Sequence, residues 1–158
     1  MSERDDYFMR RAIALAEKGM SLNKGGPFGA VIVKGGKIIA EGYNTVTSST
    51  DPTAHAEVIA IRKACEKLNS FQLEDCTIYT SCEPCPMCLG AIYWARPKRV
   101  YYACSKDDAT QIGFDDQFIY DEIDKKISKR NISFIKILGK EGKLIFDKWE
   151  EKEDKTIY

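Results

Sequence analysis

The sequence predicts an α/β fold, a mixed sheet of about five strands with helices on both faces. Three observations carry that prediction. Two β-rich runs, 28–34 and 37–43, meet at Gly35-Gly36, a dipeptide that reads as a hairpin turn and makes the first strand pair antiparallel. A strand, a helix and a strand, at 76–80, 84–96 and 99–103, have the spacing of a right-handed crossover between parallel neighbours. Between and around these runs, apolar residues recur at helical rather than strand spacing.

The elements follow in order. Phe8, Ala12, Leu15 and Ala16 form one face of a helix over 7–20, which Gly19 is placed to end. A Gly25-Gly26-Pro27 loop leads into the hairpin. A polar loop, 44–52, enters a second helix that runs to about residue 68, with Asp51-Pro52-Thr53 as its start and Thr53 as N-cap. Pro84 is placed to begin the helix after the third strand. Beyond the crossover, 115–126 reads as a helix with Phe118, Ile119 and Ile123 inward, and 133–138 as a last strand. The stretch 143–158 mixes charges with Leu144, Ile145, Phe146, Trp149 and Ile157. No repeat, low-complexity tract or linker interrupts the chain, so 1–158 is expected to be one domain.

Composition narrows the function classes. With 158 residues, 44% apolar and 30% charged, the chain has the make-up of a water-exposed globular domain with a substantial core. Lys+Arg and Asp+Glu balance at 24 each, which argues against a strongly basic nucleic-acid surface. No apolar run approaches the roughly 20 residues of a membrane span. The charged beginning, Met-Ser-Glu-Arg-Asp-Asp, lacks the apolar centre of a signal peptide. Six cysteines in such a chain read as metal ligands and buried thiols rather than disulfides, and a cytoplasmic protein is expected.

The chemistry concentrates in two segments. Thr-Ser-Cys-Glu-Pro-Cys-Pro-Met-Cys, 80–88, carries Cys82, Cys85 and Cys88; Thr-Ala-His-Ala-Glu, 53–57, carries His55, the one histidine of the sequence. His-x-Glu together with Pro-Cys-x-x-Cys is a zinc-enzyme signature. His55, Cys85 and Cys88 are read as three ligands of one zinc ion, a set that leaves the fourth tetrahedral position for water. Glu57 is then the base beside that water. His55 and Glu57, about 200° apart around a helix, cannot share a side face, but at a helix tip both flank what lies beyond the axis. Cys85 and Cys88 are one turn apart at a second helix start, where the dipole favours the thiolate. A redox role for Cys-x-x-Cys is the plain alternative, and Cys82-x-x-Cys85 forms a second such pair. Cys82, at a strand end, is read as a buried small residue.

At these residues the sequence resembles the cytidine deaminase superfamily, and within it the bacterial guanine deaminases. The resemblance is carried by Gly-Gly-Pro-Phe-Gly-Ala-Val-Ile-Val (25–33), Asp-Pro-Thr-Ala-His-Ala-Glu (51–57), 81–97 and Gly-Phe-Asp-Asp (113–116). It implies a three-layer α/β/α sandwich of the cytidine deaminase type with a hairpin-first strand order, a zinc cofactor, and deamination of a purine, guanine to xanthine. It also implies a homodimer in which the segment of about 143–158 is exchanged, with Tyr158 closing the neighbouring chain's site opposite Asp116.

Substrate contacts carried over from the resemblance are the Asn44 side-chain amide, the Ala56 backbone, Phe28 as a pocket wall, Asp116 and Tyr158. Each has a plainer role available: turn former for Asn44, core packing for Phe28, helix capping for Asp116 and its neighbour Asp115, a solvated end for Tyr158. Trp94 is read as helix-face packing. Two other functions share parts of the pattern. A tRNA adenosine deaminase needs the same two motifs plus a basic surface and room for a flipped base. A non-catalytic zinc module needs no carboxylate such as Glu57.

Overall fold

The computed structural model describes residues 2–158. Its elements are α1 (Glu3–Ser21), β1 (Gly29–Lys34), β2 (Lys37–Tyr43), α2 (Val46–Ser49), α3 (Ala56–Leu68), β3 (Cys76–Cys82), α4 (Pro86–Ala95), β4 (Arg99–Cys104), α5 (Lys106–Gln111), α6 (Gln117–Asp124), a 3-10 turn (Ile127–Lys129) and α7 (Gly139–Glu151). The strands form one mixed sheet of order β2-β1-β3-β4, in which β1 is antiparallel to β2 and β3, and β3 is parallel to β4.

Alternation along β1 explains the layers. Val31 and Val33 project to one face with Tyr79, where Phe8, Ala12 and Leu15 of α1 cover them. Ala30 and Ile32 project to the other with Ile78, under Ala56, Ala60 and Ala64 of α3 and Ile92 and Ala95 of α4. A strand covered on both faces reads as a continuous apolar run, and Gly-Ala-Val-Ile-Val is one. Ile32 and Ile78 are fully buried, and each such side chain contributes on the order of 1.5–3 kcal/mol. This is the three-layer α/β/α sandwich expected.

The helices approach the sheet closely because glycines allow it. A Cβ on Gly29 would stand 2.2 Å from the Ala12 carbonyl oxygen, and one on Gly42 would stand 2.4 Å from that of Ala56. Gly42 therefore fixes how near the first turn of α3 comes to β2.

Several boundaries differ from expectation. The first helix begins four residues early, because Ser2 and Asp5 form a capping box that apolar periodicity does not register. Gly19 lies inside that helix, against the Tyr43 ring, and does not end it. Thr53 is not the N-cap of α3: Asp51 takes both its N–H and its hydroxyl, at 2.8 and 2.7 Å, in a local turn, and His55 becomes the cap. Pro86, not Pro84, opens α4. The sheet has four strands among the described residues rather than five. The run 133–138 has strand-forming residues but no ladder partner, and Phe134 and Ile135 lie exposed.

The chain divides into two compact units, Met1–Asp116, which holds the sheet, and Gln117–Tyr158. The second contains α6, the 3-10 turn and α7, tied locally by Glu122, whose backbone carbonyl and carboxylate accept from Arg130 and from the Asn131 N–H. No residue of this unit is buried. Phe118 and Ile123, expected inward, are exposed, because forty-odd residues without a sheet make too little interior to enclose them.

Candidate metal centre and purine site

Two helix N-termini build the centre. His55 is the N-cap of α3 and Cys85 the N-cap of α4, both with extended backbone (φ/ψ −73/152 and −63/167) and neither using its side chain to cap. Both side chains are thus free to turn outward from the helix tips. Cys88, one turn into α4, is fully buried. His55 Nδ1 stands 3.5 Å from the Sγ of Cys85 and 3.5 Å from the Sγ of Cys88.

That spacing fits zinc. With Zn–S near 2.3 Å and Zn–N near 2.05 Å, a tetrahedral N···S edge is about 3.6 Å. The donor atoms of all three residues lie within 4.8 Å of one another. Two sulfurs and an imidazole are also the donor set that a borderline-soft dication prefers.

The electrostatics agree. The Cys85 thiol is lowered to about 4, chiefly because it accepts from Cys88, with His55 adding to the effect against the cost of burial. Cys88 is pushed far up by the same hydrogen bond and by burial. A dication bound to both sulfurs would displace the thiol protons. His55 is raised by its bond to Cys85, which outweighs its burial.

Cys82 lies outside the cluster. Its thiol donates to the Ser105 carbonyl at 3.5 Å, and burial pushes it up to about 11, the behaviour of a packed protonated cysteine.

Glu57 occupies the first turn of α3 and is buried. Burial raises its carboxyl above the usual range, against the pull of its hydrogen bonds. Oε1 accepts from the Thr80 hydroxyl at 3.0 Å, and Oε2 faces the Cys88 Sγ at 3.4 Å. A raised carboxyl beside a metal-ligand set is poised to pick up and return a proton.

The remaining residues surround this centre unevenly. Asn44, buried at the end of β2, accepts from the N–H groups of Gly26 (3.2 Å) and Val46 (3.1 Å) through Oδ1, so the amide nitrogen is the group left to offer a ligand. Ala56 is the first residue of α3, where helix N–H groups lack intrahelical acceptors. Phe28 meets Phe114 edge to face at 4.9 Å, against Gly26. Asp116 is half-buried and raised, first by desolvation and then by the nearby Cys85 charge, whereas Asp115 is exposed. Trp94 is 65% exposed. Tyr158 belongs to the second unit and is exposed.

Thr80 and Phe114 escaped the sequence reading. Thr80 sits in a run of strand formers, and Phe114 inside a Gly-Phe-Asp-Asp segment in which the acids drew attention. The alternation of β3, which aims Thr80 at the same side as Ile78, was the available signal for the first.

Comparison with known proteins completes the description. Residues 2–104 match the family model described as cytidine and deoxycytidylate deaminase zinc-binding region. Guanine deaminase of Bacillus subtilis is 59% identical over 153 residues, 97% of this chain and 98% of that protein. The X-ray structure of guanine deaminase from the same organism superposes with a TM-score of 0.95 at 57% identity, covering 100% of this chain and 99% of the other. The tRNA-specific adenosine deaminase of Aquifex aeolicus is 43% identical over 99 residues, 62% of this chain and 64% of that protein.

Proposed function

This chain belongs to the cytidine and deoxycytidylate deaminase zinc-binding family, and we propose from that premise that it hydrolyses guanine to xanthine and ammonia. One observation carries the choice of guanine. Similarity to a guanine deaminase covers 97% of the chain, while the tRNA-specific adenosine deaminases of Aquifex aeolicus and Haemophilus influenzae match 62% and 71% of it.

His55, Cys85 and Cys88 would hold a zinc ion, which would supply the Lewis acid that makes water nucleophilic near neutral pH. Glu57, whose Oε2 lies beside Cys88, takes one proton from the water and gives it to a ring nitrogen; it then takes the second, from the hydroxyl now bonded to the ring carbon, and gives it to the departing amine, which leaves as ammonia. A single carboxylate serves both steps because each transfer leaves it ionised again. The Asn44 amide nitrogen and the Ala56 backbone orient the ring, Phe28 packs against it, and Asp116 faces its edge. The half-burial of Asp116 and its position within reach of the Cys85 charge support it over Asp115.

The active form is a homodimer, in which the segment of about 143–158 is exchanged and Tyr158 closes the partner's site. The exposed Leu144, Ile145, Phe146 and Ile157 support an interface along this stretch. No helix among the described residues is long and apolar enough to cross a membrane, and a cytoplasmic purine enzyme without a nucleic-acid partner is the reading that the balanced charge supports.

The test is ammonia release from guanine, guanosine, adenine, cytosine, cytidine and an anticodon stem-loop RNA, with zinc measured in the same preparation. Guanine is the expected substrate at one zinc per chain. Turnover of the RNA with none of guanine would transfer the assignment to tRNA editing; zinc with no turnover of any of them would leave a structural module.

A further inference from the structure

The mechanism uses Glu57 but does not say what holds it. A glutamate has three side-chain torsions to be fixed. Here the carboxylate accepts from Glu57's own backbone N–H and is held as well from outside its helix. Thr80, 1% exposed in the middle of β3, donates its hydroxyl to Oε1 at 3.0 Å. The anchor itself is rigid: β3 is paired on both sides, with Ala30 of β1 and Tyr102 of β4 as Thr80's neighbours in register. The other oxygen, Oε2, is the one that meets Cys88, at 3.4 Å, in the cluster with His55 and Cys85.

We propose that Thr80 is a positioning residue for the deamination, which pins Oε1 of Glu57 so that Oε2 alone faces the metal-ligand cluster and carries the proton. The two oxygens of a carboxylate are chemically equivalent until something distinguishes them. Oε1 is committed to the Thr80 hydroxyl; Oε2 accepts from the Cys88 thiol, whose proton metal binding removes, and is then left at the reacting side. The arrangement also limits rotation that would swing Oε2 out of line with the reacting atoms, and a misplacement of about 1 Å in such a group costs on the order of 10²-fold in rate. Thr80 is fully buried, and its shape and hydroxyl are separable: valine keeps the first and loses the second, serine the reverse.

This inference rests on the deaminase reading, and the experiment keeps the two apart by starting with the wild-type substrate panel. Full-length zinc-loaded Thr80→Val and Thr80→Ser are compared with wild type on whichever base the panel identifies. For each, zinc per chain, thermal midpoint, KM, kcat and the Kd for the deaminated product are measured. Thr80→Val is expected to keep one zinc and product affinity and KM within about threefold, while kcat falls about 10- to 100-fold. Thr80→Ser is expected to recover kcat to within about threefold of wild type. In a Glu57→Gln background Thr80→Val is expected to add no further loss, since the group it positions is gone. Three results overturn the proposal: Thr80→Val with kcat within threefold of wild type, Thr80→Ser falling as far as Thr80→Val, or a loss of kcat that tracks loss of zinc. Should Thr80→Val not fold, Thr80→Cys, similar in size with a weaker donor, is judged by the same limits. Failure of the wild type on every base would instead remove the functional reading.

Discussion

His55 Nδ1 and Cys85 Sγ stand 3.5 Å apart, and each belongs to the residue that caps its own helix. The relationship explains why ligands thirty positions apart in sequence converge. A residue at an N-cap has extended backbone, and where its side chain is not spent on capping it projects past the helix tip. Two helices whose tips meet over the sheet then deliver an imidazole and a thiolate to one point, and the partial positive charge of each tip favours the deprotonated sulfur.

Replacement of the ligands separates the three cysteines of the motif. Cys85→Ser and Cys88→Ser are expected to lose zinc, and Cys82→Ser to keep it, because Cys82 spends its thiol on the Ser105 carbonyl outside the cluster. Metal analysis after gel filtration is the readout; a zinc-free Cys82→Ser protein beside a loaded Cys88→Ser protein would reverse the ligand assignment.

Glu57→Gln is expected to fold and hold zinc while turnover drops by at least about 10²–10⁴-fold, the usual worth of one general acid–base role. The buried position accepts the neutral amide without a charge to desolvate, so thermal stability should not fall. Turnover within tenfold of wild type would place the proton shuttle elsewhere.

Gly42→Ala tests the link between sheet packing and the site. The new methyl would lie 2.4 Å from the Ala56 carbonyl oxygen and 3.2 Å from the Ile59 Cβ, so the first turn of α3 must move away. The expected cost is about 1–3 kcal/mol of stability. Because His55, Ala56 and Glu57 ride on that turn, kcat should fall as well. An unchanged denaturation midpoint with unchanged kcat would show that the helix yields freely.

Asp5 gives a pH dependence. Its carboxyl is lowered to about 2 from 3.8, first by the Tyr79 hydroxyl at 2.6 Å and then by its bonds to Ser2. A depressed folded value means stabilisation that is fully present above the unfolded value and lost as pH falls through the folded one. Tyr79→Phe should therefore be less stable than wild type above about pH 4, with the difference shrinking as pH falls from there toward 2. Paired urea titrations across pH 3–7 check this, and a difference that does not change over that range would contradict it.

Removal of residues 155–158 is expected to leave zinc content intact and to weaken guanine turnover sharply, through loss of the cover over the purine proposed for Tyr158. Sedimentation of wild type should give a dimer. A fully active truncated chain, or a fully active monomer, would reduce this stretch to a solvated end.

The sequence by itself determined the hairpin, the crossover, the layers and the chemistry. Gly35-Gly36, the alternating run of β1 and the two metal motifs are local signals, each complete within a few residues, and such signals survive reading in one dimension. The folded chain decided where helices start at the site, through local bonds that apolar periodicity does not register. The side chain of Asp51 captured Thr53, so His55, free of a capping bond, became the tip of α3. It also decided the pairing of Thr80 with Glu57, which are 23 positions apart and meet only because α3, packed over β1 and β2, brings the Glu57 carboxylate to neighbouring β3. The run 133–138 shows the converse limit. Its residues suit a strand, but a strand exists through its neighbour's hydrogen bonds, and no local pattern states whether that neighbour is there.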